Sequence, residues 1–364
     1  MSQATRPLRV GVIGFGVSGS NFHAPLINAT AGLELAAIAT NVAEHRAKAA
    51  RSYPHATLHA DADGLIATAG DLDLAVVAVT NDLHFEYGLR LVEAGLPAIV
   101  EKPLASNSVQ AAQLVERARE CDAYLSVFQN RRWDGDFLTV KEVIASGRLG
   151  TTRRFVSRFE APRLDVGPGW RDSDDQSLAG GVLFDLGSHL VDQAVSLFGT
   201  VAHVYAEATP ARTGARVDDD SFVSMLFASG VRAHLELSKL NAAPQARFHV
   251  IGTDGTYTSS GLDPQEAQLA AGLAPGQPGF GIERPANHGI VITRQGAVRE
   301  PLRRGRYQRY YEATRDALTV GGAAPVDPGD AVYCLRILEA ARLSSLERTV
   351  VTIDPSGIAA PRRT

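Results

Sequence analysis

The sequence predicts a two-domain α/β chain: a doubly wound parallel sheet first, then an α+β domain with an open-faced, mostly antiparallel sheet. Three observations carry this. The first third alternates short aliphatic runs with helical stretches. After residue 130 the pattern changes to consecutive segments in which apolar and polar residues alternate with a period of two. The length, 364 residues, is enough chain for about two domains. The expected boundaries are 1–128 for the first domain and 129–364 for the second.

Five runs in the first domain read as strands: 8–13, 33–39, 74–79, 97–100 and 123–128. They are nearly continuous in aliphatic residues, as parallel strands buried on both faces require. The Ala-, Leu- and Glu-rich stretches 43–52, 85–94 and 109–120 between them read as helices. Beyond residue 130, 134–146 reads as a helix ended by Gly147, and 153–161, 202–208, 222–228, 231–238 and 248–252 as strands. Helices at 181–198, 307–318 and 330–345 are available to cover one face of that second sheet. Its other face then needs a partner, because large apolar patches are uncommon on monomers; this predicts a homo-oligomer, a homodimer or homotetramer. The Gly- and Pro-rich stretch 271–288 reads as a long loop.

Hydrophobic residues make up 45% of the chain and charged ones 21%, with a net charge of -4, which is ordinary for a globular protein. No basic face is available for a phosphodiester backbone, so nucleic acid is excluded as a partner. No apolar run approaches the ~20 residues of a membrane helix, so a membrane is excluded too. Cys121 and Cys334 lie far apart without a metal-like neighbourhood and read as free thiols, and the N-terminus lacks a secretory pattern, so a cytoplasmic location is expected. Asp218-Asp219-Asp220 reads as a solvated turn, and no metal is expected.

The chemistry begins at Gly14-Phe15-Gly16-Val17-Ser18-Gly19, a G-x-G-x-x-G directly after the first strand. In that context Gly14 permits a tight turn, Gly16 lets a pyrophosphate approach the backbone, and Gly19 lets the next helix pack closely. The N–H groups at that helix start face the anion. The first domain is therefore expected to be a Rossmann domain for a nicotinamide dinucleotide. An acid at the end of the second strand would select NAD; here Thr40-Asn41 is neutral and Glu34 stands at the wrong end. Arg46 follows and is expected to reach a 2′-phosphate, so NADP is favoured over NAD. Further strand ends carry Thr80, Asn81 and His84, then Glu101-Lys102-Pro103. With Phe15, Ser18 and the glycines these complete the expected cofactor-binding set, since ligands of open α/β sheets gather at the carboxyl ends of strands.

The glycine loop, the E-K-P triplet and the stretch Gly180-Gly181-Val182-Leu183-Phe184-Asp185-Leu186-Gly187-Ser188-His189 occur in order. Together they resemble the glucose–fructose oxidoreductase/inositol dehydrogenase/rhizopine-catabolism (Gfo/Idh/MocA) family. The runs 22–27 (FHAPLI), 130–134 (NRRWD) and 263–268 (DPQEAQ) and the pair Tyr310-Tyr311 look like its NADP-dependent scyllo-inositol dehydrogenase-like branch. One departure is Thr80, where many members have proline. The resemblance implies an oxidoreductase acting on a sugar, inositol or related polyol. It makes Lys102 the active-site lysine and Asp185 and His189 the polar pair facing the substrate, with Trp170 and Arg171 lining the pocket. The residues agree with this. Asp185 and His189 are four apart and would share a helix face, a carboxylate can orient an imidazole, and histidine suits proton transfer near neutral pH. Two rival readings are a dinucleotide-dependent glycosidase of the same superfamily and a non-catalytic dinucleotide sensor. The presence of both Lys102 and His189 favours catalysis over the sensor.

Overall fold

The computed structural model of the chain describes residues 6–243, 245–354 and 359–361. They divide into two compact units. The first takes residues 6–133 with two returning segments, 264–281 and 306–331; the second takes 134–263, 282–305 and the described residues from 332 onward. A single break at 128/129 therefore leaves out two stretches that pack with the N-terminal third.

The first unit is built on six parallel strands: β1 (Leu8–Ile13), β2 (Leu33–Ala39), β3 (Thr57–His59), β4 (Leu74–Val77), β5 (Ala98–Val100) and β6 (Leu125–Val127). Their order is β3-β2-β1-β4-β5-β6, the doubly wound order of dinucleotide-binding sheets, which reverses direction between β1 and β4. Val10, Val12 and all four residues of β4 are completely buried, which is why these strands read as unbroken aliphatic runs. β3 adds a sixth strand to the five expected. Its Thr57 is exposed and Leu58 and His59 half-buried, so it carries neither an aliphatic run nor an alternation. The helices Ala43–Ser52, His84–Glu93 and Ser108–Glu120 stand where the pattern puts them. The last is capped by Asn107, whose side chain accepts the Gln110 N–H at 2.9 Å.

The expectation that 307–318 covers the second sheet is corrected: the helix Gln308–Val320 belongs to the first unit. Its Tyr310 ring stands edge-on to Phe128 at 5.0 Å, and the Tyr310 hydroxyl donates to Ser126 Oγ at 2.9 Å. Tyr310 and Tyr311 are fully buried, so this amphipathic stripe is matched to aromatic neighbours from the first 133 residues.

The second unit carries ten strands: β7 (Thr152–Glu160), β8 (Val201–Thr209), β9 (Asp220–Phe227), β10 (Arg232–Ser238), β11 (Ala246–Gly252), β12 (Gly255–Ser260), β13 (Gly289–Thr293), β14 (Gly296–Glu300), β15 (Val351–Ile353) and β16 (Ala359–Pro361). The order is β14-β13-β12-β11-β7-β10-β9-β8-β15-β16. β7 and β10 pair in parallel; the other neighbours run antiparallel. One face packs on the helix Gly187–Phe198, whose Gly187 lies close to Leu237 and Leu338. Beyond the short β15, the N–H groups of Ala206 and Ala208 are taken by the hydroxyls of Ser344 and Ser345, each at 2.9 Å, so the helix Pro328–Glu347 finishes that strand's hydrogen bonding. On the other face Leu226, Ile290 and Ile292 are exposed, and Tyr205, His234 and His249 half-buried. No helix among the described residues is long and apolar enough to cross a membrane.

Candidate active site

In the first unit, backbone bonds align the carboxyl ends of the central strands. Gly14 N–H donates to Ala39 O, Ala78 N–H to Ile13 O, and Glu101 N–H to Val77 O, at 2.7–3.0 Å. The glycine loop, Thr40-Asn41, Thr80–Asn81 and Glu101-Lys102 therefore share one edge, as expected.

The three glycines of the loop have different causes. A Cβ on Gly14 would stand 2.2 Å from Ala78 O, at a φ of +94°; one on Gly19 would stand 2.1 Å from Gly14 O. These two are demanded by the protein's own backbone. A Cβ on Gly16 would meet only the His45 ring carbon Cε1, at 3.9 Å. That bare backbone is a cradle a side chain would fill, and it fits the pyrophosphate of a dinucleotide. Phe15 is buried with its ring edge-on to Tyr53 at 6.1 Å, so only its backbone remains for a ligand. At the end of β2, Thr40 is buried and Asn41 exposed. Arg46 donates from Nη2 to Leu58 O at 3.1 Å, which holds its guanidinium against β3. Glu34 lies at the opposite end of β2 and pairs with Arg9 at 3.4 Å.

His84 is buried, with Nδ1 2.7 Å from Pro103 O and Nε2 3.2 Å from Val79 O. Burial pushes its pKa down, and the single N–H of the neutral ring is best placed on Nδ1, where it donates to Pro103 O across the shorter contact. Its visible part is to hold the turn that carries Lys102, whose peptide bond to Pro103 is cis. Glu101 faces inward. Its Oε1 accepts from Ser18 Oγ and lies 3.1 Å from His23 Nε2, and its Oε2 accepts the Lys102 N–H at 2.9 Å. Burial alone would raise the carboxyl's pKa. The contacts with His23, Ser18 and Lys102 overcome this and hold it at about 2. In the sequence His23 stands out only as part of a family-like run, and its role in this cluster carries no signal in spacing.

In the second unit, Asp185 and His189 are both buried, but not on one unbroken helix. Val182–Asp185 ends and Gly187–Phe198 begins around Leu186. The His189 N–H donates to Leu186 O at 3.1 Å, and Asp185 O accepts from Ser188 Oγ at 3.1 Å. The expected single helix 181–198 is thus broken at the residues it was to align. Arg171 Nε donates to Asp185 Oδ2 at 2.9 Å, and the guanidinium lies 4.4 Å from the Trp170 ring centroid. Trp170 and Arg171 are therefore tied to the carboxylate from the loop before the helix.

That loop is pinned by a buried charge cluster. Arg212 bonds Asp172 at 2.5 Å and Asp219 at 2.7 Å, and donates to the carbonyls of Arg163 and Asp165 at 2.9 and 2.8 Å. Lys239 Nζ reaches Asp172 at 3.0 Å. Burial would raise the Asp172 pKa, but the Gly167 N–H, Lys239 and Arg212 bring it down to about 2. Asp218 accepts the Leu183 N–H at 2.7 Å and caps the Val182–Asp185 helix. The run 218–220 is therefore not a solvated turn: a helix start and the Arg212 guanidinium need its first two acids, and Asp220 alone is exposed. Among the described residues no group of three His, Cys, Asp or Glu is placed to hold a metal ion. Cys121 and Cys334 are free thiols, the first only half-buried.

Comparison with known proteins matches residues 8–129 to an oxidoreductase family with an NAD-binding Rossmann fold, and residues 137–258 to the GFO/IDH/MocA C-terminal domain. The chain is 35% identical over 350 residues to the oxidoreductase YdgJ of Escherichia coli, covering 95% of this chain and 99% of the relative. It is 30% identical over 351 residues to the scyllo-inositol 2-dehydrogenase (NADP(+)) IolW of Bacillus subtilis, covering 95% and 96%. The oxidoreductase yvaA of Bacillus subtilis superposes with a TM-score of 0.90 at 29% identity, covering 97% of this chain and 100% of that one.

Proposed function

Because the chain belongs to the Gfo/Idh/MocA family of NAD(P)-dependent oxidoreductases, we propose that it oxidises a hydroxyl, or reduces a keto group, on a sugar, inositol or related polyol. The observation that carries this reading is the setting of Lys102. It stands on the same strand edge as the glycine cradle, and its backbone is fixed on both sides, by Glu101 Oε2 at its own N–H and by His84 at Pro103 O. A lysine held so firmly at a ligand edge is a site residue rather than a solvated one.

The glycine loop, Ser18, Thr40, Asn41 and Arg46 hold the dinucleotide. NADP is the cofactor: β2 ends without an acid that would repel a 2′-phosphate, Arg46 is anchored at the adjoining β3, and the similar IolW is named for NADP(+). When bound, the nicotinamide supplies hydride exchange with the substrate carbon. Lys102 hydrogen-bonds the reacting oxygen and stabilises its developing negative charge. His189 accepts the hydroxyl proton in oxidation and returns it in reduction. Asp185 binds a neighbouring hydroxyl and orients the imidazole, its own carboxylate held by Arg171. The protein works in the cytoplasm as a homo-oligomer joined through the open face of the second sheet.

The test is a panel of inositols and sugars with NADP and NAD, read at the reduced-nicotinamide absorbance. His189→Ala should lower kcat by about 10²–10⁴-fold while dinucleotide affinity stays within about twofold. Unchanged turnover in that variant would remove His189 from the mechanism. A glycosidase would instead cleave substrate with no net absorbance change.

A further inference from the structure

Several of the sequence stretches with no place in the mechanism so far meet around one short segment. Directly after the glycine loop, Gly19–His23 forms a π-helical turn. Such turns are rare and recur at functional sites. The helix Gln265–Ala270 packs on this turn, and the Phe22 and Tyr307 rings lie 6.3 Å apart. Gln265, fully buried, accepts the Tyr307 N–H at 2.8 Å and donates to Trp133 O at 3.3 Å. The turn is thus braced by segments from residues 133, 265 and 307. What it delivers is the fully buried ring of His23.

The donors and acceptors around that ring can be assigned. Glu101 is ionised and can only accept, so His23 Nε2–H donates to Oε1 across 3.1 Å. At the other end, Nδ1 lies 2.6 Å from the Tyr311 hydroxyl. Burial raises the Tyr311 pKa well above its ordinary value, so it keeps its proton and donates to Nδ1. A chain of oriented groups results: Tyr311 O–H to His23, His23 N–H to Glu101, and Lys102 N–H to the other oxygen of Glu101. Ser18, from the glycine loop, donates to the same oxygen as His23.

We propose that His23, oriented by Tyr311, is a positioning residue for Lys102: it fixes the Glu101 carboxylate, which fixes the lysine's backbone. This rests on the reading of Lys102 as the group that meets the substrate oxygen. A buried carboxylate stays charged and still only with several donors, and a histidine keeps its orientation only while its second nitrogen is bonded. Removing either partner lets Glu101 turn or take up a proton, and Lys102 loses its aim.

Four variants test this: Tyr311→Phe, His23→Leu, His23→Gln and Lys102→Ala. Tyr311→Phe removes a hydroxyl and leaves the ring packing, so it remains informative if His23→Leu does not fold. In Tyr311→Phe, kcat should fall about tenfold with KM within about twofold, the signature of a lost transition-state interaction. In His23→Leu it should fall about a hundredfold. His23→Gln, whose carboxamide can donate to Glu101, should recover about tenfold of that. If Lys102→Ala is inactive but Tyr311→Phe and His23→Leu match the wild type in kcat, the positioning role is wrong and the lysine's role stands. If Lys102→Ala turns over like the wild type, both fall.

Discussion

At the scale of single residues, the glycine loop separates what the protein needs from what its ligand needs. Gly14→Ala pushes a methyl group into the Ala78 carbonyl from a left-handed backbone, and should cost roughly 2 kcal/mol or more in a denaturant melt. Gly16→Ala has no neighbour closer than His45. It should leave stability within about 0.5 kcal/mol, yet weaken dinucleotide binding at least about tenfold by calorimetry. Equal effects of the two substitutions on stability would refute the distinction. The glycine pattern was legible because its chemistry is local, and Lys102, Asp185 and His189 stand out as candidates for the same reason. His23 was not, because its partner Tyr311 is 288 residues away in sequence. Nor was the Arg171–Asp185 bond, because an arginine beside a tryptophan in a loop looks the same whether it faces water or a carboxylate.

At the scale of elements, alternation and aliphatic runs placed the long strands and helices, and failed where tertiary partners override local pattern. β3 is short and polar enough to give no signal. The helix break at Leu186 has only Gly187 beside it as a local signal, in a stretch that is otherwise helical in composition, and the second helix starts there with the His189 N–H on Leu186 O. The loop before that break makes a prediction of its own. Asp172 titrates at about 2 in the fold, against an ordinary 3.8. A depressed carboxyl contributes stability that is full above the ordinary value and is lost as pH falls toward the depressed one. Thermal melts between pH 7 and 2 should therefore show Asp172→Asn less stable than wild type near neutrality, with a shallower decline on acidification. The same slope in both proteins would mean that the Arg212–Lys239 cluster does not hold the loop through this charge.

At the scale of the whole molecule, the sequence could state that there are two kinds of sheet but not which late segments join which. The helix Gln308–Val320 looks like a cover for any sheet; long-range contacts, chiefly those of Tyr310 and Tyr311 with Phe128, Ser126 and His23, assign it to the first unit. The second sheet leads to the last prediction. Its open face carries two adjoining rows. One runs from Ile292 through Thr256, Ile251, Arg154 and Arg232 to Leu226; the other runs from Ile290 through Thr258, His249, Val156, His234 and Ser224 to Tyr205. At one end of these rows stand two exposed isoleucines: Ile290 is 39% and Ile292 48% accessible. β-branched residues side by side on an extended sheet face are a surface that a second copy can cover isologously. Sedimentation of the wild type at micromolar concentration should therefore give a homodimer or a multiple of one. The double substitution Ile290→Glu, Ile292→Glu should give a monomer with unchanged circular dichroism, because charging two exposed positions alters the fold's own stability by no more than about 0.5 kcal/mol each. A monomeric wild type would refute the dimer outright. A wild-type oligomer that the two glutamates leave intact would move the contact to another surface.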